Sequence, residues 1–268
     1  MKVENTKKTQ FDEYEIEFYD GFEHGQLDST KWVAAYLPQW SNTCVSAPSY
    51  SFTDNHLILR IDQHQPPWCP EFDGPNRVSS LQTGVYSGAL GSTRGQHHFR
   101  KDLLVREVQE TQKLYTPHLG YFELRAKCRL SPQNLAAFWM IGFEEVPEHS
   151  AEICIVELKG NNMREKSSTI GYGVHPFGDP FMHDEFYEEH VDIDVREFNT
   201  YAVEWRERSL SFYVNDHCVR TLHQSPNYEM QFMLNVYDLT GEYDKTVEYC
   251  IDYVAGYRSK RLFTTASP

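Results

Sequence analysis

The 268-residue sequence predicts an all-β protein, a sandwich or a barrel, on three observations. Short strand-like segments recur along the chain between turn residues. Several alternate apolar and polar positions, as in Tyr201-Ala202-Val203-Glu204-Trp205 and Leu210-Ser211-Phe212-Tyr213-Val214. That period of two belongs to a strand with one buried face. Helical periodicity is nearly absent, and without βαβ alternation a doubly wound fold is excluded.

In chain order, residues 1–13 read as a polar tail and 14–260 as one domain, with a short tail at 261–268. Strands are expected over 14–19, 56–62, 82–87, 119–130, 135–143, 151–158 and 168–174, then 200–207, 209–214, 217–222, 230–237 and 247–258. Asn215-Asp216 between two alternating runs predicts a tight hairpin. Pro66 to Pro75 reads as a rigid loop, Leu103–Gln112 as the best helical stretch, and the acidic run His183–Asp194 as a solvated loop.

Aromatic residues make up 14% of the chain, which favours strands and suits sugar-stacking surfaces. The net charge of −14 repels a phosphate backbone and excludes nucleic acid as the expected partner. A neutral polysaccharide is indifferent to that charge. No apolar stretch approaches the roughly 20 residues of a membrane span, and MKVENTKKTQ lacks the apolar core of a signal peptide. A monomer is expected, either cytosolic or exported with its leader already removed. The six cysteines show no CxxC spacing. They are expected to be buried free thiols, with no structural zinc.

The segment Ala151-Glu152-Ile153-Cys154-Ile155-Val156-Glu157-Leu158 carries the chemistry. Two carboxylates in an otherwise apolar strand are costly to desolvate. A paired acid and nucleophile is what glycoside hydrolysis needs. Glu152 and Glu157 stand at i and i+5, which a flat strand sends to opposite faces. They share a face only if a β-bulge absorbs one residue between Cys154 and Glu157.

Further landmarks surround this strand. They are Asp20-Gly21-Phe22, Lys31-Trp32, Asn55-His56-Leu57-Ile58-Leu59, Gly120-Tyr121-Phe122-Glu123-Leu124-Arg125-Ala126-Lys127 and Ala137-Phe138-Trp139-Met140-Ile141-Gly142. Phe198-Asn199-Thr200-Tyr201-Ala202-Val203-Glu204-Trp205, Leu234-Asn235-Val236-Tyr237 and Asp252-Tyr253-Val254 complete the set. In this order the chain, over roughly 15–258, resembles glycoside hydrolase family 16, the laminarinase and lichenase clan. The resemblance implies a concanavalin A-like jelly-roll β-sandwich of two curved antiparallel sheets, with the active site on the concave face. It implies a retaining endo-β-glucanase acting on β-1,3- or mixed-linkage glucan, the longer glutamate spacing being that of the laminarinase-like branch. No cofactor takes part in that chemistry.

Carried over, Glu152 matches the nucleophile and Glu157 the acid/base. Cys154 stands where the family has aspartate. Trp139, Asn235 and Tyr237 match cleft positions, and His175 matches a histidine after the catalytic strand. Asp252 matches an aspartate that, with the N-terminal segment around Asp20, holds a structural calcium in many members. A neutral thiol carries no field comparable to a carboxylate, so Glu157 loses one influence raising its pKa. A catalytically weakened carbohydrate-binding protein on the same fold therefore stays open as the alternative. Trp40 and Trp68 lie in loops, where exposed aromatics could extend the cleft. Loops 36–50, 64–80 and 87–118 match nothing specific.

Overall fold

The alternating segments fold into two antiparallel sheets in a computed structural model that describes residues 13–242 and 247–260. The tails expected at 1–13 and 261–268 lie outside the described residues, except for Glu13. The first sheet contains β1 (Tyr14–Asp20), β2 (Ser49–Thr53), β3 (His56–Arg60), β7 (Gly120–Arg129), β12 (Asn199–Arg206), β13 (Ser209–Val214), β14 (His217–Leu222) and β16 (Glu248–Ser259). The second contains β4 (Arg77–Gln82), β8 (Asn134–Gly142), β9 (Glu152–Met163), β10 (Ser168–His175), β11 (Glu185–Val191) and β15 (Met230–Asp238), in the order β11-β10-β9-β8-β15-β4. A small ribbon pairs β5 (Gly84–Val85) with β6 (Gln112–Lys113). The architecture is a jelly-roll β-sandwich.

Strand alternation decides what each face meets. On β8, Ala136, Phe138 and Met140 enter the core between the sheets, against Phe122 and Leu124 of β7 and Leu57 and Leu59 of β3. Ala137, Trp139 and Ile141 point the other way, into a second apolar cluster with Cys154, Met233, Trp40, Trp68, Leu103 and Val105. The outer face of the six-stranded sheet is therefore covered in part by loops. The site lies on this face.

Three local expectations are corrected. Leu103–Gln112 forms no helix; Leu103 and Val105 are buried as anchors of an irregular segment. The acidic run at 183–194 supplies β11, the edge strand of the six-stranded sheet. Charged side chains suit an edge, because they discourage pairing with another chain. Trp40 and Trp68 are almost wholly buried, donating their indole N–H groups to the Gln96 carbonyl at 2.8 Å and to Asp73 Oδ2 at 2.6 Å. The hairpin at Asn215-Asp216 forms with both residues at positive φ, the geometry of its tight turn. All six cysteines are free; Cys69, Cys128 and Cys154 are buried, whereas Cys44 and Cys218 are exposed. No helix among the described residues is long and apolar enough to cross a membrane.

One buried ion pair ties β4 to β15. Arg77 and Asp238 are register partners, and Arg77 Nη2 and Nε reach Asp238 Oδ2 at 2.6 and 2.9 Å. Both side chains are buried, so removing one strands the other's charge. Asp238→Ala is expected to destabilise the fold by about 3–5 kcal/mol, read as a lower midpoint in urea unfolding.

Candidate active site

Between Cys154 and Glu157, β9 has one residue too many for regular pairing. Against β8, Glu152 pairs with Ile141, Cys154 with Trp139 and Glu157 with Ala137, and the register shifts between Phe138 and Trp139. Against β10, Glu152 pairs with His175, Cys154 with Gly173 and Glu157 with Gly171, with a shift between Gly171 and Gly173. Ile155 is the unpaired residue on both sides. Ile155 and Val156 both enter the inter-sheet core, and the side-chain phase is restored at Glu157. Glu152, Cys154 and Glu157 thereby occupy successive alternate rungs on the outer face.

The rungs continue across the sheet. Gln231 and Ile141 flank the Glu152 rung, Met233 and Trp139 the Cys154 rung, and Asn235 and Ala137 the Glu157 rung. Trp139 donates its indole N–H to Asn235 Oδ1. Tyr237, one rung further, donates to Tyr36 Oη at 3.4 Å. His175, half-buried, stacks on Phe186 at 4.9 Å between ring centres, and its Nδ1 lies 2.5 Å from Asp184 Oδ1. Glycine at 171 leaves the space for this arrangement: a Cβ there would come within 2.6 Å of the Phe186 ring. The structure thus brings Glu152, Cys154, Glu157, Trp139, Asn235, Tyr237 and His175 onto one face.

Asp252 lies on the other sheet. Its carboxylate is paired with Arg125 and lies 3.5 Å from His56 Nε2. Asp20 accepts the Trp32 indole N–H at 2.8 Å and the Phe22 amide at 2.9 Å. Calcium needs six to eight oxygen ligands with free lone pairs. A carboxylate facing a guanidinium and an imidazole does not fit that requirement.

Two residues of the site gave no sequence signal. His97, from the long 87–118 loop, places Nδ1 3.0 Å from Glu152 Oε1, off the direction of a hydrogen bond. Its ring meets Trp139 and Phe177 edge-on at 5.3 and 5.0 Å. Glu144, buried just after β8, accepts the His97 backbone N–H. Their distance in sequence hid them; only the fold brings loop and strand end together.

Electrostatics separates the acids. Burial raises the Glu157 carboxyl above the ordinary 4.5, the Glu152 charge raises it further, and Lys159 and His175 oppose the shift. No middle aspartate is needed for that direction. Burial pushes the Cys154 thiol well up, with Glu152 and Glu157 adding to it, so the thiol is a poor nucleophile. Its Sγ lies 3.8 Å from Glu152 Oε2, a weak contact. Burial also raises Glu144 well above the ordinary range, although the amides of His97 and His98 pull it down.

Two carboxylates on one outer face of a β-sandwich are the kind of pair that glycoside hydrolysis uses. The profile of the "Glycosyl hydrolases family 16" matches residues 108–253, more than half of the chain, and the chain belongs to that family. Among solved structures it is similar to a GlcNAcα1-4Gal-releasing endo-β-galactosidase from Clostridium perfringens, at 26% identity and a TM-score of 0.79 over 93% of this chain. It spans 64% of the length of that relative. The laminarinase catalytic domain from Thermotoga maritima gives 16% identity and a TM-score of 0.59, covering 92% of this chain and 99% of that one. The laminarinase from Rhodothermus marinus gives 16% and 0.60, covering 92% and 98%. A search of curated proteins gave no match.

The Glu157 shift has a stability consequence. A carboxyl whose pKa is raised on folding binds its proton more tightly in the folded state. Below the ordinary value both states are protonated and the group is neutral to stability. As pH rises from 4.5 to the raised value, the unfolded state loses its proton first and folding stability falls. Glu157→Gln removes this loss, so its unfolding free energy is expected to decline less over that window than the parent's. Urea unfolding at a series of pH values measures the difference.

Proposed function

We propose that this chain is a retaining, endo-acting glycoside hydrolase in which Glu152 is the nucleophile and Glu157 the acid and then the base. The observation that carries the reading is the bulge at Ile155, which puts the two glutamates on one face with Glu157 raised. Glu152 attacks the anomeric carbon while Glu157 gives its proton to the leaving oxygen. Glu157, now ionised, takes a proton from the water that releases the glycosyl enzyme. No cofactor enters these steps. Tyr237 and His175 are partly exposed and can meet a pyranose ring, whereas Trp139 is buried and holds Asn235 through its indole N–H.

For the linkage, two substrates compete. The spacing of the glutamates favours a β-1,3- or mixed-linkage glucan. The likeness to the Clostridium perfringens endo-β-galactosidase, stronger than that to the laminarinases, favours a β-galactoside within a larger glycan. We place the β-galactoside first. The weak Cys154 contact with Glu152 supports a second reading, a carbohydrate-binding protein with reduced catalysis.

A panel of β-glucans and β-galactoside glycans, followed by reducing-sugar release and by NMR of the first-formed anomer, tests the activity. Retained configuration is expected, and a 2-fluoro glycoside should label Glu152. Glu152→Gln is expected to abolish labelling while binding persists. Glu157→Gln is expected to lose about 10²–10⁴-fold on poor leaving groups and far less on activated aryl glycosides. Equal losses on both would contradict the assigned role.

Cys154→Asp examines the departure from the family. The added carboxylate should raise Glu157 further, because like charges in one site resist joint ionisation. The alkaline limb of the pH–rate profile is then expected to move upward. A gain of hydrolysis in an inactive parent would mark the binding-protein reading as correct. Unfolding of the variant would show Cys154 to be a packing residue.

A further inference from the structure

Glu152, Cys154 and His175 each bring one ligand-type atom to within 4.8 Å of the others. Backbone register imposes this grouping: Cys154 follows Glu152 by two on the same face, and His175 is the β10 partner of Glu152. Cys154 Sγ and Glu152 Oε2 are already 3.8 Å apart. Ligands around tetrahedral zinc lie roughly 3.3–3.6 Å from one another, given metal–ligand bonds of about 2.0–2.3 Å. Closing the set therefore takes side-chain shifts of about an ångström.

Three further features favour a cation. His175 Nδ1 lies 2.5 Å from Asp184 Oδ1, which leaves Nε2 free to ligate. A carboxylate behind an imidazole fixes its tautomer and strengthens it as a ligand, the usual support of a metal-bound histidine. His97 Nδ1 is buried beside Glu152 Oε1 without a hydrogen-bond partner, next to that carboxylate but outside the group of three. Burial is the main reason the Cys154 thiol is raised, and the carboxylates of Glu152, Glu157 and Asp184 add negative charge around it. The same field attracts a divalent cation, and a bound metal removes the thiol proton outright.

We propose that Glu152, Cys154 and His175 form a site for a thiophilic divalent cation, zinc above all, which fills the groove and switches hydrolysis off reversibly. The chemistry involves no redox step: the Cys154 S–H bond breaks, its proton passes to solvent and a metal–sulfur bond forms. An aspartate at 154 would give a harder donor set. Cysteine moves the preference from magnesium and calcium towards zinc. Half-buried His175 provides the approach from solvent. The metal site stands on geometry alone, whereas the switch rests on Glu152 being the nucleophile.

Cobalt(II) titration of the chelator-treated full chain tests the proposal. A near-ultraviolet thiolate-to-cobalt charge-transfer band at one equivalent is expected, displaced by zinc but not by excess calcium or magnesium. The band should vanish in Cys154→Ser. In Asp184→Asn, a change at an exposed residue that spares the core, metal affinity should fall about 10–100-fold. Glycosidase activity should drop with zinc and return with chelator. No band, or a band that survives in Cys154→Ser, overturns the proposal. If Cys154→Ser misfolds, an unchanged affinity in Asp184→Asn overturns it instead. A band without any hydrolysis keeps the metal site and discards the catalytic reading; hydrolysis without a band does the reverse.

Discussion

The extra residue at Ile155 of β9 is the constraint on which the site depends. A regular strand would send Glu157 into the inter-sheet core, where an ionised carboxylate costs several kcal/mol even after relaxation. The chain instead loses pairing at Ile155 on both sides and buries Ile155 and Val156 in succession. Two apolar neighbours facing the same core compensate for the interrupted ladder. Everything downstream of the bulge is thereby shifted by one phase. Gly171 and Asn235 stand opposite Glu157 only because of that shift.

Charge is then divided among groups of similar chemistry. Burial raises the Glu157 carboxyl. Glu152 has the His97 imidazole beside it at 3.0 Å. The two identical side chains thus sit in different surroundings. An aspartate at 154 would place a third carboxylate on three consecutive rungs. Cysteine lowers that charge density and contributes apolar surface to the cluster containing Trp139 and Met233. The thiol is thus compatible with packing, and Glu157 is raised with a neutral residue at 154.

Much of this was legible in the sequence because it is written in local pattern. Period-two alternation located most strands, and Asn215-Asp216 located a hairpin, since both depend on neighbours a few residues apart. The spacing of Glu152 and Glu157 required a bulge before any coordinates, because side-chain phase is strict in a strand. β11 was hidden, for an edge strand needs little apolar content and Glu185, Glu188 and Glu189 mimic a solvated loop. Trp40 and Trp68 misled for the opposite reason. A tryptophan between turn residues reads as exposed, whereas here each indole N–H meets a distant acceptor that fastens a loop.

The 87–118 loop shows what long-range contacts add. Gln96 is wholly buried and joins four segments. Its carbonyl accepts from Gln39 and Trp40, its Oε1 accepts the Tyr86 amide, and its Nε2 reaches Gln231 on β15. The next residue, His97, adopts φ 54°, and Glu144, which receives its amide, adopts φ 50°. Non-glycine residues in this region carry strain of order 1–3 kcal/mol and persist only where neighbours over-determine them. Here the neighbours are a buried glutamine, a buried carboxylate and the rings of Trp139 and Phe177. The strain is spent on one outcome: an imidazole from a loop far away in sequence is held against Glu152. A loop held in that backbone conformation is part of the site's architecture, and the surroundings of Glu152 are shaped jointly by the sheet and by the segment packed on it.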